Sequence, residues 1–324
     1  MVTDTGQTSS AWLVRSLAGA MGDALRGGSV ARMLVPPRVS VEDTAGMRFV
    51  SMPAVSADHD LYINKVATIV ASRVPGRGAT VTGSVPMFSA STGRYLGALD
   101  GATVTNLKCA AVTALVTDRC AAPDSRVLGI IGSGAQARQQ FAGVSAVRDL
   151  AEVRVFSRDP HRAGAFAGEI GTMARAAGAP VRVVVCDSAE RASRGVDILS
   201  TATTSVTPLP ISADLPAHVH INCMGAHTTD SRELPADLLR TSVVVVEDLA
   251  TAVAEAGTSH ATAAELDVLV GPDSAGFARR RTVFASTGCA WLDLITCAHL
   301  VRHDAAPTTH AGERSHERCH VSTR

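Results

Sequence analysis

The 324-residue sequence predicts an α/β fold in which a doubly wound parallel sheet is joined to a smaller α+β unit. Three observations carry this expectation. From Arg126 onward, short apolar runs such as Val243–Val246 alternate with Ala-rich helical segments, the rhythm of a parallel sheet covered on both faces. Before that point, strand-like runs follow one another directly, punctuated by Gly and Pro. The chain is also long enough for two domains with buried cores.

Composition narrows the class. Hydrophobic residues make up 46% and charged residues 19%, an ordinary globular balance. The formal net charge is zero, so nothing electrostatic points to nucleic acid or an anionic membrane as partner. No apolar run reaches the length of a membrane span, and Met1 to Ala20 lacks the pattern of a signal peptide. The seven cysteines are odd in number and scattered without a CxxC pair. That usage predicts reduced thiols in a cytoplasmic protein and no metal site.

In chain order, Trp12 to Arg26 has the apolar spacing of a helix. Strands are expected at Ala31–Val35, Met47–Pro53, Tyr62–Val70, Ala79–Ser89 and Tyr95–Asp100, then a helix over Thr103–Arg119. Ala121–Ala122–Pro123–Asp124 reads as a domain boundary. Beyond it, strands are expected at Arg126–Ile131, Glu152–Phe156, Pro180–Cys186, Asp197–Thr201, His218–Met224 and Ser242–Glu247, with helices such as Gln136–Val147 and Arg162–Ala177 between them. Ala290–Val301 reads as a helix returning to the first unit. The expected division is therefore 1–121 with about 291–302, then 122–290, and a polar, aperiodic tail over 303–324 that reads as disordered.

One run carries chemistry by itself. Gly132–Ser133–Gly134–Ala135–Gln136–Ala137 fits G-x-G-x-x-A, follows an expected strand and opens an expected helix. Gly132 permits the tight turn, Gly134 admits a pyrophosphate to the backbone, and Ala137 lets helix and strand pack closely. This makes residues 122–290 a Rossmann-type domain, with Gly132, Gly134, Ala135 and Gln136 as cofactor-binding candidates. The next strand ends in Ser157–Arg158, where NAD sites usually carry an acid. A hydroxyl and a guanidinium suit a 2′-phosphate, so NADP(H) is favoured and NAD(H) is the alternative. Thr201 and Thr203 after the fourth strand, and Met224 and Gly225 after the fifth, stand where a nicotinamide would lie, beyond the carboxyl ends of the strands.

A second oddity concerns the basic residues. Lys65 and Lys108 are the only lysines in the chain; every other basic residue is arginine. An ammonium can lose its proton when desolvated and a guanidinium cannot, which marks both positions. On a strand, Lys65 shares its face with Leu61, Ile63, Ala67 and Ile69; it reads either as a buried ammonium whose pKa falls toward neutrality or as a strand-edge lysine snorkelling to solvent. Lys108 projects from an apolar helical stripe with Val104, Ala111 and Leu115. Its expected partner is a substrate carboxylate or a cofactor phosphate.

Over nearly its whole length the chain resembles the ornithine cyclodeaminase/mu-crystallin family. The matching segments are Pro37–Arg38–Val39, Asn64–Lys65–Val66–Ala67–Thr68, Leu99–Asp100–Gly101 with Thr105 through Ala111, Gly225–Ala226–His227 through Leu234, and Thr282 through Gly288 followed by Asp293. The resemblance implies a homodimer whose first domain builds both the dimer interface and the substrate pocket. It also implies hydride transfer between nicotinamide and the C–N carbon of a small amino or imino acid. On that basis Lys65 is the catalytic acid/base, Arg38 and Lys108 bind the substrate carboxylate, and Gly288 borders the cofactor. The family includes ketimine reductases, alanine dehydrogenases, redox-neutral cyclodeaminases, enzymes that cleave an N-substituted amino acid to 2,3-diaminopropionate, and the NADP(H)-binding mu-crystallins. Two departures stand out. Lys108 replaces an arginine of the family's motif, and His227 stands where cyclodeaminases carry a catalytic aspartate. His227 reads either as a proton-transfer group assisted by Asp230 or as a loop histidine without catalytic duty.

Overall fold

The computed structural model describes residues 11–44, 46–70, 80–225, 228–229 and 232–304. The chain opens with helix α1 (Ala11–Arg26), whose buried face carries Val14, Leu17 and Met21. An antiparallel sheet follows, made of β1 (Val39–Glu42), β2 (Met47–Ser56), β3 (Leu61–Val70), β4 (Thr80–Phe88) and β5 (Tyr95–Asp100) in sequential order. Helix α2 (Gly101–Cys120) begins at Asp100, whose carboxylate accepts the Thr103 amide at 2.7 Å as an N-cap.

The second sheet is parallel. Its strands are β6 (Val127–Ile131), β7 (Glu152–Phe156), β8 (Arg182–Val185), β9 (Ile198–Thr201), β10 (His220–Cys223), β11 (Val243–Val246), β12 (Ala264–Glu265) and β13 (Thr282–Ala285). Helices α3 (Ala135–Val147), α4 (Pro160–Ala176), α5 (Ala189–Ser193), α6 (Ala236–Arg240) and α7 (Leu249–Ala256) connect them, and α8 (Ala290–Asp304) closes the described chain. The strand order is β12-β11-β13-β10-β9-β6-β7-β8. Progression runs one way from β6 to β8 and the other way from β9 to β10, so the direction reverses between β6 and β9. Ligands of such sheets bind in the crevice at that reversal.

Helix α2 joins the two sheets. It packs on α1 and α8, on β3, β4 and β5, and on α3 and β10. One continuous core therefore holds Val104, Leu107 and Leu115 of α2 with Ile63 of β3, Leu292 and Ile295 of α8, and Phe284 of β13. Helix α8, mostly apolar, lies on β2 and β3 after the chain has left the parallel sheet.

The structure departs from the sequence expectation in several places. Ala31–Val35 is a 3-10 turn at Val30–Arg32 followed by a single bridge from Leu34 to Val55, not a strand. Pro36 and Pro37 lack amide donors and end the ladder there. β1 was not expected, because its four residues are all exposed and lack an apolar run. β13, fully buried between β11 and β10, was not read as a strand either. Helix α8 takes in His303 and Asp304 of the expected tail; the rest of that tail lies outside the described residues.

Candidate active site

At the carboxyl end of β6 the turn Gly132–Gly134 leads into α3. Gly132 has φ +123°, and a Cβ there would overlap the Ala202 carbonyl that follows β9. Only glycine satisfies both the left-handed backbone and that approach. Around Gly134 there is open space, and no side chain caps α3. Helix-start amides without a protein partner are suited to anionic phosphates. The donor set therefore fits a dinucleotide, which Gly132, Gly134, Ala135 and Gln136 would hold. At the end of β7, Ser133 Oγ donates to Ser157 Oγ at 2.9 Å. Arg158 is exposed, and neither it nor Arg162 has a carboxylate partner among the described residues. Asp159, the nearby acid, is engaged as the N-cap of α4, accepting the His161 amide at 2.9 Å.

The catalytic candidates converge on one buried carboxylate. Asp293 of α8 is fully buried, and Lys65 Nζ lies 3.2 Å from each of its oxygens. Lys108 Nζ stands 3.8 Å from Asp293 Oδ1. Burial lowers the Lys65 pKa; Asp293 opposes this and the Lys108 charge reinforces it. Burial pulls Lys108 down too, but the negative charge around it, Asp293 foremost and Glu247 also contributing, outweighs the burial and its net shift is upward.

Lys108, Arg38, Gln136, Met224, Gly225, Glu255, Thr287 and Gly288 are among the residues lining a cleft of about 290 Å³ at the carboxyl ends of β10 and β13. Arg38 Nη2 donates to the carbonyls of Thr287 and Gly288 at 2.7 and 2.6 Å, and its Nε faces Glu255 at 3.3 Å. Nη1 has no hydrogen-bond partner among the described residues, which leaves a donor for an incoming anion. The loop that accepts from Arg38 is itself pinned by Glu247, which takes the Thr287 amide at 3.0 Å and the Gly288 amide at 3.2 Å. The Oε1 of Gln136 is buried without a hydrogen-bond partner, which leaves an acceptor at the cleft.

Thr201 and Thr203 have a different partner from the ligand-facing one expected of them. Both hydroxyls donate to Glu233, at 2.8 and 2.6 Å, and the Gly225 amide reaches the same carboxylate at 2.7 Å. Glu233 is fully buried, so it staples the ends of β9 and β10 from behind. A Cβ on Gly225 would overlap that carboxyl group. His227 and Asp230 lie outside the described residues.

The comparisons with known proteins agree with this geometry. The model of the ornithine cyclodeaminase/mu-crystallin family matches residues 1–308. The chain belongs to the ornithine cyclodeaminase/mu-crystallin family. Among curated relatives, the Azospirillum brasilense Delta(1)-pyrroline-2-carboxylate/Delta(1)-piperideine-2-carboxylate reductase is 32% identical over 324 residues, covering 96% of this chain and 97% of the relative. The rat (Rattus norvegicus) ketimine reductase mu-crystallin is 30% identical over 248 residues, or 75% of this chain and 76% of the relative. A Thermococcus litoralis Delta(1)-pyrroline-2-carboxylate reductase, solved with NADH and L-proline, superposes with a TM-score of 0.77 at 27% identity, covering 91% of this chain and 94% of that one.

Within this family member, sequence reasoning brought Arg38, Lys65, Lys108 and the glycine turn into view but gave no role to four carboxylates, Glu233, Glu247, Glu255 and Asp293. A signal existed for two of them. Asp293 interrupts the apolar run Trp291–Ile295, and Glu247 ends four consecutive valines. A carboxylate in such a run is costly to bury unless it is paired.

Proposed function

We propose that this chain is an NADP(H)-dependent reductase of small cyclic α-imino acids, with pyrroline-2-carboxylate and its six-membered homologue as substrates. The observation that carries the reading is the triad of Lys65, Asp293 and Lys108, with two further groups, Arg38 and Gln136, at the adjoining cleft. Such a site recognises a carboxylate and moves a proton. When bound, the dinucleotide supplies the hydride that the imine carbon accepts. Lys108 and the Nη1 of Arg38 hold the substrate carboxylate, which orients the C=N bond. Lys65 gives a proton to the imine nitrogen as the C=N π bond opens, so that C=N, hydride and proton become CH–NH. A desolvated ammonium is suited to this because burial moves its pKa toward the working pH.

Ser157, Arg158 and Arg162, the two arginines having no carboxylate partner among the described residues, support NADP(H) over NAD(H), since Asp159 is occupied as a helix cap. A homodimer is supported by the outer face of the antiparallel sheet. There the exposed Val39, Val41, Phe49 and Val66 line an open apolar groove with a volume of about 560 Å³. In that arrangement residues 1–121 with α8 form the substrate and dimerisation unit, and residues 122–290 form the dinucleotide unit.

The test is a panel of cyclic ketimine acids, open-chain keto acids with amines, and ornithine, each with NADPH and with NADH. The expected result is NADPH consumption with pyrroline-2-carboxylate and formation of proline. Ammonia release from ornithine without net coenzyme oxidation, or no reaction with any cyclic ketimine, would overturn the reading.

A further inference from the structure

Thr287 and Gly288 divide their four backbone hydrogen-bonding groups between two side chains of opposite charge. Their amides donate to Glu247, Thr287 to Oε2 at 3.0 Å and Gly288 to Oε1 at 3.2 Å. Their carbonyls accept from one nitrogen of Arg38, at 2.7 and 2.6 Å. The Thr287 carbonyl and the Gly288 amide belong to one trans peptide, in which these groups point in opposite directions. Glu247 and Arg38 therefore stand on opposite sides of that peptide and polarise it in the same sense. Gly288 permits the arrangement, because its φ of +77° is the left-handed turn that brings successive amides to one side. Glu247 is buried directly after β11, and Ser286 Oγ is a third donor to it. Three converging donors need a group that only accepts, which a carboxylate does and a carboxamide does not.

We propose that Glu247 is the positioning residue of the carboxylate subsite: by holding the Thr287 and Gly288 amides it fixes the two carbonyls that aim Arg38, and so sets how tightly a substrate carboxylate is bound without touching it. This rests on the carboxylate-holding role given to Arg38 above, not on the reduction. Arg38 needs such an anchor because a second cation stands beside it. A Cβ on Gly288 would lie 3.4 Å from Lys108 Nζ and 3.9 Å from Arg38 Nη2, so the ammonium and the guanidinium flank one residue and repel each other. Asp293 faces Lys108 and Lys65. Glu255 faces Arg38 at 3.3 Å from Nε, but that contact is not aligned as a hydrogen bond. The two loop carbonyls are thus the directional hold on Arg38. With the Glu247 charge removed, the loop is free to turn and Arg38 to close onto Glu255, which takes Nη1 away from an incoming carboxylate.

The test is a double-mutant cycle read by binding. Pyrrole-2-carboxylate, the flat aromatic counterpart of the proposed substrate, has no C=N bond to reduce and is titrated by calorimetry into the full chain in the presence of NADP+. R38M is expected to weaken its binding by about ten- to a hundredfold, the contribution of a hydrogen bond between charged groups. E247Q should weaken it by about tenfold with Arg38 present and by less than about twofold in R38M, because the residue it acts through is gone. Affinity for NADP+ should stay within about twofold of wild type in each variant. If E247Q does not fold, E247D, which keeps the charge but withdraws it by one methylene, must show the same dependence on Arg38. In turnover, E247Q should raise the imino acid KM and leave kcat nearly unchanged, as expected when ground-state and transition-state binding are lost equally. A Glu247 variant that weakens binding equally with and without Arg38 acts through the fold alone and overturns the proposal, as does wild-type protein that does not bind pyrrole-2-carboxylate. If the cycle behaves as described but no cyclic ketimine is reduced, the positioning role stands and the reductase reading falls.

Discussion

Replacing Lys65 by Met removes the group proposed to donate the proton while leaving the buried site electrically balanced. Lys65 and Lys108 together place two cations against the one carboxylate of Asp293. Without Lys65, Lys108 and Asp293 remain as a neutral pair, and Met fills the space of the lysine stem beside Ile63 on β3. The fold should therefore survive with little loss of thermal stability. Replacing Asp293 by Ala, in contrast, leaves two cations without their anion, a defect that costs about 3–5 kcal/mol when a buried pair is broken. Loss of a positioned acid/base lowers turnover by about 10²–10⁴, equivalent to about 3–5 kcal/mol in the barrier. The assay is steady-state reduction of pyrroline-2-carboxylate followed by loss of NADPH absorbance, with coenzyme affinity and thermal unfolding measured on the same sample. kcat should fall by that factor while NADPH affinity and the unfolding temperature stay close to wild type. A folded Lys65→Met protein retaining more than about a tenth of the wild-type kcat would refute proton transfer by Lys65.

Three further outcomes are expected. Arg158→Ala should weaken NADPH by about tenfold or more, the value of a charge-assisted contact to phosphate, and leave NADH unchanged; equal losses for both coenzymes would remove Arg158 from the 2′-phosphate site. Gly225→Ala must displace the Glu233 carboxyl group, on which Thr201, Thr203 and the residue-225 amide depend. It should lower stability by about 2–4 kcal/mol in denaturant unfolding, and a variant as stable as wild type would contradict the staple. His220 is buried between Thr282 Oγ1 and Asn222 Oδ1, and burial pushes its pKa down from 6.5 to about 3. The folded protein keeps it neutral while the unfolded chain takes up a proton below 6.5. Its contribution is thus complete above that pH and is lost as pH falls toward 3, at up to about 1.4 kcal/mol per unit. Denaturant midpoints across this window should fall less steeply in His220→Gln than in wild type.

The legible parts of the fold were those with a local signal. The β6–turn–α3 unit announces itself because Gly132 must be a glycine in its local geometry and the G-x-G-x-x-A run falls between a strand and a helix, and the strands of the parallel sheet are short valine- and isoleucine-rich runs bounded by turns. Lys65 and Lys108 stood out because arginine fills every other basic position. What stayed hidden was long-range pairing. Asp293 lies 228 positions from Lys65, and nothing local to either states that α8 returns to lie on β3. Glu233 likewise meets Thr201 and Thr203 only once β9 and β10 are side by side. β13 escaped because its Thr282–Ala285 run is only four residues long and, without its neighbours, has no period to distinguish it from a loop.

The most direct test of the account follows one hydrogen atom. With NADPH deuterated at the transferring position and pyrroline-2-carboxylate as substrate, the proline formed should carry deuterium at the carbon bearing the carboxylate, one atom for each NADPH consumed. Proline without the label, or turnover that leaves the deuterated coenzyme unchanged, would contradict net imine reduction at this site.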